Sequence, residues 1–454
     1  MKPGSDRLDG AFGKLLDKRE AEGRRRRLTL PPTGAVDFSS NSYLSLAENP
    51  ELKRRYIDLL QSSSDDFSLG SGGSRLLDGN TRYIEDLETR IARFHNAPTG
   101  LLFNSGFDAN SGLFGCAPQP GDIVIYDELI HASVHDGMKL GRGRKIPFAH
   151  NSVENCSPDE QSGTSADAIA ASGLRTVLKR LCDGKDGEAF CNGSRNVFVA
   201  VEGVYSMDGD VAPLREIVAC VRECLPLGNG HIIVDEAHST GIIGHRGRGL
   251  VCHLGLEDQV WARVHTFGKA MGCGGAIVLC SPTTRSYLIN YARSLIYTTA
   301  LGYPSLAAIQ TTYEYLAGGF ADGQLQSLQA VVRRAHGNLA SICEQYKVPS
   351  EVLRINSSIP ESPIFPLFTS FARELAAECQ QNGFMLRPIV APTVPKGTDR
   401  VRLCLHAGNT MHDVDGLCRV IEQWVCRKTG SAVFTGAKGG GDTASIIKSD
   451  LSRL

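Results

Sequence analysis

Short runs of β-branched and other apolar residues recur along the first two thirds of the chain, with stretches of helical periodicity between them. Each run has the length of a buried strand. Strands that alternate with helices predict a mostly parallel sheet covered by helices on both faces, which is an α/β fold. The predicted strands are residues 100–103, 123–126, 197–201, 232–234, 264–266 and 276–279.

The pattern changes after Pro304, where helical periodicity continues as far as Tyr346. A predicted strand at residues 401–405 is followed by an amphipathic helix at residues 411–427, which indicates a smaller C-terminal α+β domain. We therefore predict an N-terminal helical and extended segment, a large domain, a small C-terminal domain and a flexible tail, at residues 1–50, 51–305, 306–428 and 429–454.

Two further segments stand out by their composition. The residues before about Pro32 are highly charged and predict a solvated helix that ends in a basic turn at residues 24–27. Residues 156–195 are rich in Gly, Ser and Asp around one helical piece at residues 174–181, which predicts a surface insertion.

Composition excludes several classes of protein. The 48 Lys and Arg residues nearly balance the 49 Asp and Glu residues, so no overall field attracts nucleic acid or an anionic membrane. No apolar run approaches the roughly 18 residues that a membrane helix needs. The 14 cysteines show no Cys-x-x-Cys spacing, which favours free thiols over disulfides or a zinc site.

Polar residues that directly follow the predicted strands are the candidates for chemistry, because ligands bind at the carboxyl ends of strands in open α/β sheets. Residues 104–107 follow the first strand and open a helix, where free backbone N–H groups can bind a phosphate. A carboxylate, an imidazole, a hydroxyl and an amine follow later strands. They are Asp235, His238, Ser206 and Lys269.

A single lysine after a strand is by itself more typical of a solvated surface charge. Lys269 lies among glycines that allow a tight turn, and desolvation of its amine would make it a nucleophile for carbonyls. A phosphate site, a strand-end Asp and this amine are together what pyridoxal 5'-phosphate (PLP) requires: anion binding, a partner for the ring nitrogen and a Schiff base. The combination predicts a PLP site.

Other interpretations of the same motifs are weaker. Residues 234–238 match a helicase nucleotide-binding strand, but the Gly-Lys at residues 268–269 lacks the rest of a P-loop. His131 and His135 have the spacing of a metal pair without a third ligand, so no metal is expected. His131 can instead reach the predicted crevice. Arg402 could bind a substrate carboxylate or merely cover the sheet.

Five motifs together resemble the α-oxoamine synthase family of fold-type I PLP enzymes, and the similarity extends from about Asp37 to Arg427. It implies a seven-stranded, mostly parallel sheet in the large domain. The motifs are FSSNSYL at residues 38–44, GSGGSR at 70–75, EGVYSMDGD at 202–210, DEAHSTG at 235–241 and TFGK at 266–269.

The resemblance implies a role for each candidate residue. Lys269 forms the Schiff base, Asp235 pairs with the pyridine nitrogen, and His131 stacks on the ring. His238 and Ser206 bond the phenolic oxygen of the ring. The remaining residues bind anionic groups: Gly106, Phe107 and Thr266 hold the phosphate, Thr299 reaches a phosphate across a homodimer interface, and Asn41 and Arg402 hold the carboxylate of the amino acid.

The family condenses an amino acid with an acyl-CoA and releases CoA and carbon dioxide. Its 8-amino-7-oxononanoate synthase branch, in biotin synthesis, fits best, so L-alanine and pimeloyl-CoA are the expected substrates. The alternatives are another amino acid and acyl-CoA pair in lipid or secondary metabolism, and a non-catalytic partner subunit. The final Ser452-Arg453-Leu454 resembles the peroxisomal address, which predicts binding of the import receptor and a peroxisomal rather than cytoplasmic location.

Overall fold

The computed structural model describes residues 5–28, 30–63, 68–154, 172–391 and 393–431. The predicted tail beyond residue 431, including Ser452-Arg453-Leu454, lies outside the described residues, and so do residues 155–171 of the predicted insertion. The peroxisomal address therefore stays a prediction, as do the domain boundaries.

Twelve strands are found among the described residues. They are β1 (Val36–Asp37), β2 (Thr99–Phe103), β3 (Ile123–Asp127), β4 (Arg144–Phe148), β5 (Val197–Glu202), β6 (Gly230–Asp235), β7 (Ala262–Thr266), β8 (Ala276–Cys280), β9 (Ile364–Phe368), β10 (Phe384–Met385), β11 (Arg387–Ile389) and β12 (Arg400–Cys404).

Fifteen α-helices accompany these strands in the same parts of the chain. They are α1 (Ser5–Ala21), α2 (Pro50–Ser62), α3 (Arg82–Phe94), α4 (Gly106–Cys116), α5 (Ala132–Leu140), α6 (Leu174–Cys182), α7 (Gly187–Cys191), α8 (Leu214–Cys224), α9 (Leu250–Leu254), α10 (Pro282–Tyr291), α11 (Arg293–Ile296), α12 (Tyr303–Ala317), α13 (Asp322–Gln345), α14 (Ala372–Gln381) and α15 (Met411–Thr429).

Seven strands form one sheet in the order β2-β8-β7-β6-β5-β3-β4. β8 pairs antiparallel with both of its neighbours and the other pairs are parallel, so the predicted mostly parallel sheet is confirmed. All six predicted strands are present. The sequence missed β4, an edge strand whose segment Arg-Lys-Ile-Pro-Phe contains two charged residues and a proline, which edge strands tolerate.

Alternate residues of the central strands enter two different cores. Ile123 and Ile125 of β3 pack with α6 and α8 on one face of the sheet, whereas Val124 packs with α4 and α5 on the other face. A strand that is buried on both faces must be apolar at nearly every position. The continuous apolar runs of the sequence are therefore a consequence of helices covering the sheet on both sides.

The C-terminal part contains a three-stranded antiparallel sheet in the order β11-β12-β9, covered by helices. The predicted amphipathic helix is α15, which buries Leu417, Ile421 and Trp424. It starts at a capping box formed by Thr410 and Asp413, in which each residue bonds the backbone of the other.

The N-terminal segment contains an exposed helix and a short strand that pairs with the C-terminal part. Helix α1 is exposed along its described side chains, as the charged sequence predicted. β1 pairs in parallel with β10, which brings the segment that follows β1 to the small sheet. The described residues contain no helix that is long and apolar enough to cross a membrane, and their cysteines are free.

Candidate active site

The carboxyl ends of β5, β6 and β7 lie side by side and carry Glu202, Asp235 and Thr266 as their last residues. Glu202 and Asp235 are paired in the strand register. Lys269 follows β7 by three residues. The crevice predicted from strand ends therefore exists, and acidic and basic groups meet in it.

Asp235 is buried and its carboxylate is held at both oxygens. Asn110 Nδ2 donates to Oδ2 over 2.7 Å, and the backbone nitrogen of Ala237 donates to Oδ1 over 2.9 Å. A fixed carboxylate at this position suits a cationic ring nitrogen, which is the role predicted for Asp235.

Lys269 lies in the tight loop between β7 and β8. The Gly272 backbone nitrogen donates to the Lys269 carbonyl over 3.0 Å, and Gly272 has φ +68°, a conformation that favours glycine. A Cβ on Gly272 would lie 2.6 Å from the backbone nitrogen of Ala47. Burial lowers the pKa of the Lys269 amine, while the nearby Asp235 and Glu202 raise it. The net lowering favours a neutral, nucleophilic amine.

The anion site predicted at residues 104–107 falls at the N-terminus of α4. Ser105 caps the helix by accepting from the Asp108 nitrogen over 3.1 Å, and the N–H groups of Gly106 and Phe107 lie in the first turn, where helices lack internal partners. A Cβ on Gly106 would lie 3.1 Å from Thr266 Cβ and 3.2 Å from its Oγ1. Glycine therefore lets the helix terminus and the Thr266 hydroxyl face the same small space, which fits a phosphate.

Thr299 lies beside the same helix terminus of its own chain. Asn104 Nδ2 donates to the Thr299 carbonyl over 2.8 Å, and the Thr299 side chain is exposed. The predicted contact of Thr299 with the phosphate of another subunit stays a prediction.

His131 is the N-cap of α5 and borders the crevice. Its Nδ1 accepts from the Ser133 backbone nitrogen over 3.2 Å and lies 2.8 Å from the Ser133 hydroxyl. His131 lies at the protein surface, yet the surrounding atoms lower its pKa by desolvation. A neutral imidazole at this edge fits a group that stacks on a cofactor ring. His135 contacts Tyr126 instead, with ring centroids 5.2 Å apart.

His238 belongs to a buried network that also contains the predicted carboxylate-binding residues. Its Nδ1 lies 2.8 Å from Tyr43 Oη, which in turn lies 3.0 Å from Asn41 Oδ1. Arg402 Nη2 donates to Asn41 Oδ1 over 2.9 Å. Burial lowers the pKa of His238 well below its usual range, and the positive charge of Lys269 adds to the effect.

Arg402 connects the small sheet to the large one. It lies on β12 and donates from Nε to the Ser206 carbonyl over 2.6 Å. Two residues earlier on the same face of the strand, Arg400 pairs with Asp208. The structure thus brings Asn41, Ser206 and Arg402 together from three distant segments. Ser206 uses its backbone carbonyl in this contact.

Four residues of the site were missing from the predicted set: Tyr43, Asn110, Ser133 and Glu202. Tyr43 and Glu202 stand within the family motifs, and Glu202 ends a strand by the same rule that selected Asp235. Asn110 is four residues after Gly106 and so lies on the same face of the helix, which the sequence spacing could have indicated. Burial raises the pKa of Glu202 well above its usual range, and Asp235 raises it further.

Glu236, which gave the helicase-like motif, has a structural role. It is fully buried and accepts from the backbone nitrogens of Leu250 and Val251, each over 2.8 Å, at the start of α9. Within the described residues no group of three or more His, Cys, Asp or Glu side chains could hold a metal ion.

The sequence is similar to those of known proteins. The family described as aminotransferase class I and II matches residues 33–421. An 8-amino-7-oxononanoate synthase from Emericella nidulans is 50% identical over 421 residues, covering 92% of this chain and 96% of that protein. The aminoacyl transferase sphA of Aspergillus fumigatus is 38% identical over 394 residues, covering 84% of this chain and 79% of that protein.

The fold is also shared with a solved structure. A serine palmitoyltransferase from S. paucimobilis with bound PLP and myriocin superposes with a TM-score of 0.74 at 24% identity. The match covers 94% of this chain and 100% of that one.

Proposed function

The chain belongs to the aminotransferase class I and II family as a PLP-dependent α-oxoamine synthase, and we propose that it condenses L-alanine with pimeloyl-CoA to give 8-amino-7-oxononanoate, CoA and carbon dioxide. The observation that carries the enzyme assignment is the convergence of Lys269, Asp235 and the α4 terminus on one crevice. The choice of substrates is supported by the 50% identity to the Emericella nidulans synthase.

The residues present fit the cofactor. The N–H groups of Gly106 and Phe107 and the Thr266 hydroxyl would hold its phosphate, and the buried carboxylate of Asp235 would face its ring nitrogen. Lys269 would provide the amine for covalent attachment. When bound, PLP supplies an electron sink for negative charge on the carbon next to the amino group.

The other side chains bind and orient the amino acid. Arg402 and Asn41 present a guanidinium and an amide in the same network, which suits a carboxylate. Since Arg402 is already fixed by the Ser206 carbonyl, little side-chain entropy is lost when the substrate binds.

Lys269 is the group placed to move a proton. Its partly desolvated amine would accept the proton from the α-carbon of the bound amino acid. The carboxylate of Asp235 raises the pKa of this amine, so the ammonium that results is stabilised electrostatically.

A second copy of the chain is the proposed partner. Three apolar side chains on one stripe of α1, Leu8, Phe12 and Leu15, are 56%, 53% and 62% exposed. Outside α1, Leu77 and Tyr297 are 74% and 72% exposed. Exposed apolar groups of this size are typical of protein interfaces. A homodimer with shared active sites would cover them, and light scattering on the purified protein tests this.

Substrate choice is tested by measuring CoA release with alanine, glycine and serine against pimeloyl-CoA and longer acyl-CoAs. We expect the highest kcat/KM with alanine and pimeloyl-CoA. The second candidate, another amino acid and acyl-CoA pair, is favoured by the 38% identity to the sphA transferase. It gains support if pimeloyl-CoA is inactive and another acyl-CoA releases CoA.

The remaining alternative, a non-catalytic partner subunit, is tested separately. The wild-type protein should bind PLP with visible absorbance, and Lys269→Ala should lose that absorbance. An unchanged spectrum in Lys269→Ala would contradict covalent attachment at this residue.

We further propose that the protein is peroxisomal, on the support of Ser452-Arg453-Leu454 in the sequence. Deleting these three residues from a tagged protein should change a punctate distribution into a diffuse one. A punctate distribution that survives the deletion would contradict the proposal.

A further inference from the structure

A continuous chain of hydrogen bonds joins the carboxylate of Asp235 to the ring of His131. Asn110 Nδ2 donates to Asp235 Oδ2 over 2.7 Å and to Ser133 Oγ over 3.0 Å. Ser133 Oγ lies 2.8 Å from His131 Nδ1. Asn110 and Ser133 are only 2% and 1% exposed, so solvent has little access to replace either bond.

The direction of each hydrogen bond follows from the chemistry of the groups. A carboxylate only accepts, so the nitrogen of the Asn110 amide, not its oxygen, faces Asp235. The same nitrogen carries a second hydrogen, which Ser133 Oγ accepts. The hydroxyl proton of Ser133 is then left for His131 Nδ1.

A second donor reaches the same ring nitrogen. The Ser133 backbone nitrogen lies 3.2 Å from His131 Nδ1 and can only donate. With two donors directed at Nδ1, the proton of the neutral imidazole stands on Nε2.

We propose that Asn110 and Ser133 are positioning residues that hold His131 as its Nε2–H tautomer. The ring then presents an N–H donor to the substrate. The same hydrogen bonds connect it to Asp235, the carboxylate that would face the cofactor. The inference rests on the PLP site of the proposed function, and it assigns Asn110 and Ser133 a role in the reaction. Neither residue touches substrate or cofactor in this proposal. Asn110 acts through Asp235, and Ser133 acts through His131.

The protonation of His131 also depends on the charges around it. Desolvation lowers its pKa, the negative charge of Asp235 raises it and the positive charge of Lys269 lowers it. The Ser133 hydroxyl stabilises the neutral ring specifically, since it can donate only to an unprotonated Nδ1. The titratable groups that face His131 are Asp235, Lys269, His135, His238 and Glu202.

Two substitutions test the chain of hydrogen bonds in the holoenzyme. Ser133→Ala removes the donor to Nδ1, so the acidic limb of the kcat profile should rise by roughly half to one pH unit, which corresponds to one neutral hydrogen bond. Ser133→Thr keeps the hydroxyl and should restore the wild-type profile. Asn110→Ala removes a donor from Asp235 and should weaken PLP binding roughly tenfold or more, measured by titrating the apoenzyme.

Ser111→Ala is the matched control. Ser111 is adjacent to Asn110 on α4, and its buried Oγ has no hydrogen-bond partner among the described residues. It should leave the pH profile and the PLP dissociation constant unchanged. Thermal unfolding of each variant checks that it is folded, and Ser133→Ala with Ser133→Thr carries the test if Asn110→Ala does not fold.

The proposal is overturned if folded Ser133→Ala keeps the wild-type acidic limb, or if folded Asn110→Ala binds PLP as tightly as Ser111→Ala. PLP binding requires no acyl-CoA, and the pH profile is measured with whichever acyl-CoA is most active. A wrong choice of pimeloyl-CoA would therefore appear as a change of preferred substrate, with the effects of the substitutions unaltered.

Discussion

His150 lies between two aspartates, and this makes its charge a measurable contribution to stability. Its Nδ1 is 2.9 Å from Asp127 Oδ1 and its Nε2 is 2.7 Å from Asp210 Oδ2, while its ring packs edge-on against Tyr205. Both ring nitrogens face acceptors, so both carry protons. Burial lowers the pKa of His150, but the hydrogen bonds to Asp127 and Asp210 outweigh it and raise the pKa to about 10.

The pH dependence follows from this raised pKa. The folded state holds the proton more tightly than the unfolded chain, where the pKa is 6.5. The contribution to stability is therefore complete below pH 6.5 and disappears as the pH rises through about 10. A difference of about 3.5 units, at about 1.4 kcal/mol each, sets an upper limit of about 5 kcal/mol.

His150→Gln removes the charge and leaves Asp127 buried without its cation. We expect the free energy of unfolding at pH 6.5 to fall by about 3–5 kcal/mol, and this deficit to shrink toward pH 10. The assay is urea unfolding of wild type and variant at pH 6.5, 8 and 10. The exposed His412 provides a control, His412→Gln, with no deficit at any pH. A deficit of equal size at pH 6.5 and pH 10 would refute the reasoning.

Three other substitutions test separate features of the site. Gly272→Ala should lower the free energy of unfolding by about 2–4 kcal/mol, because the φ of Gly272 is positive and an added Cβ would lie too close to Ala47. Gly274→Ala is the control and should change it little, since the space around Gly274 is open. Arg402→Lys should raise the KM for the amino acid roughly tenfold or more in steady-state assays, since lysine lacks the guanidinium fork. Glu236→Gln should lower thermal stability while the spectrum of bound PLP is kept, since this carboxylate caps α9.

The sequence predicted the strands of the central sheet because each is buried on both faces and is therefore apolar throughout. It also predicted Asp235 and Lys269, since both follow strands and the carboxyl ends of parallel strands meet at one edge. It failed for β4, where an edge position permits charged residues and a proline, so the apolar signal is absent.

The binding network of Arg402 illustrates what sequence spacing alone could not show. Arg402 and Asn41 are 361 positions apart, yet Nη2 and Oδ1 are 2.9 Å apart, and Tyr43 and His238 join the same network. No local periodicity relates these positions. The sequence left Arg402 either binding a carboxylate or covering the sheet, the resemblance to a family favoured the first, and the contacts themselves required the fold.

The sequence by itself determined six of the seven strands of the central sheet and the chemical groups at its edge, because these depend on local periodicity and on which residue follows each strand. Only the tertiary structure decided how Asn110 and Ser133 connect Asp235 to His131, and hence which ring nitrogen carries the proton. The reason is physical: a hydrogen bond needs its two atoms about 3 Å apart, and the side chains that come this close belong to different strands and helices.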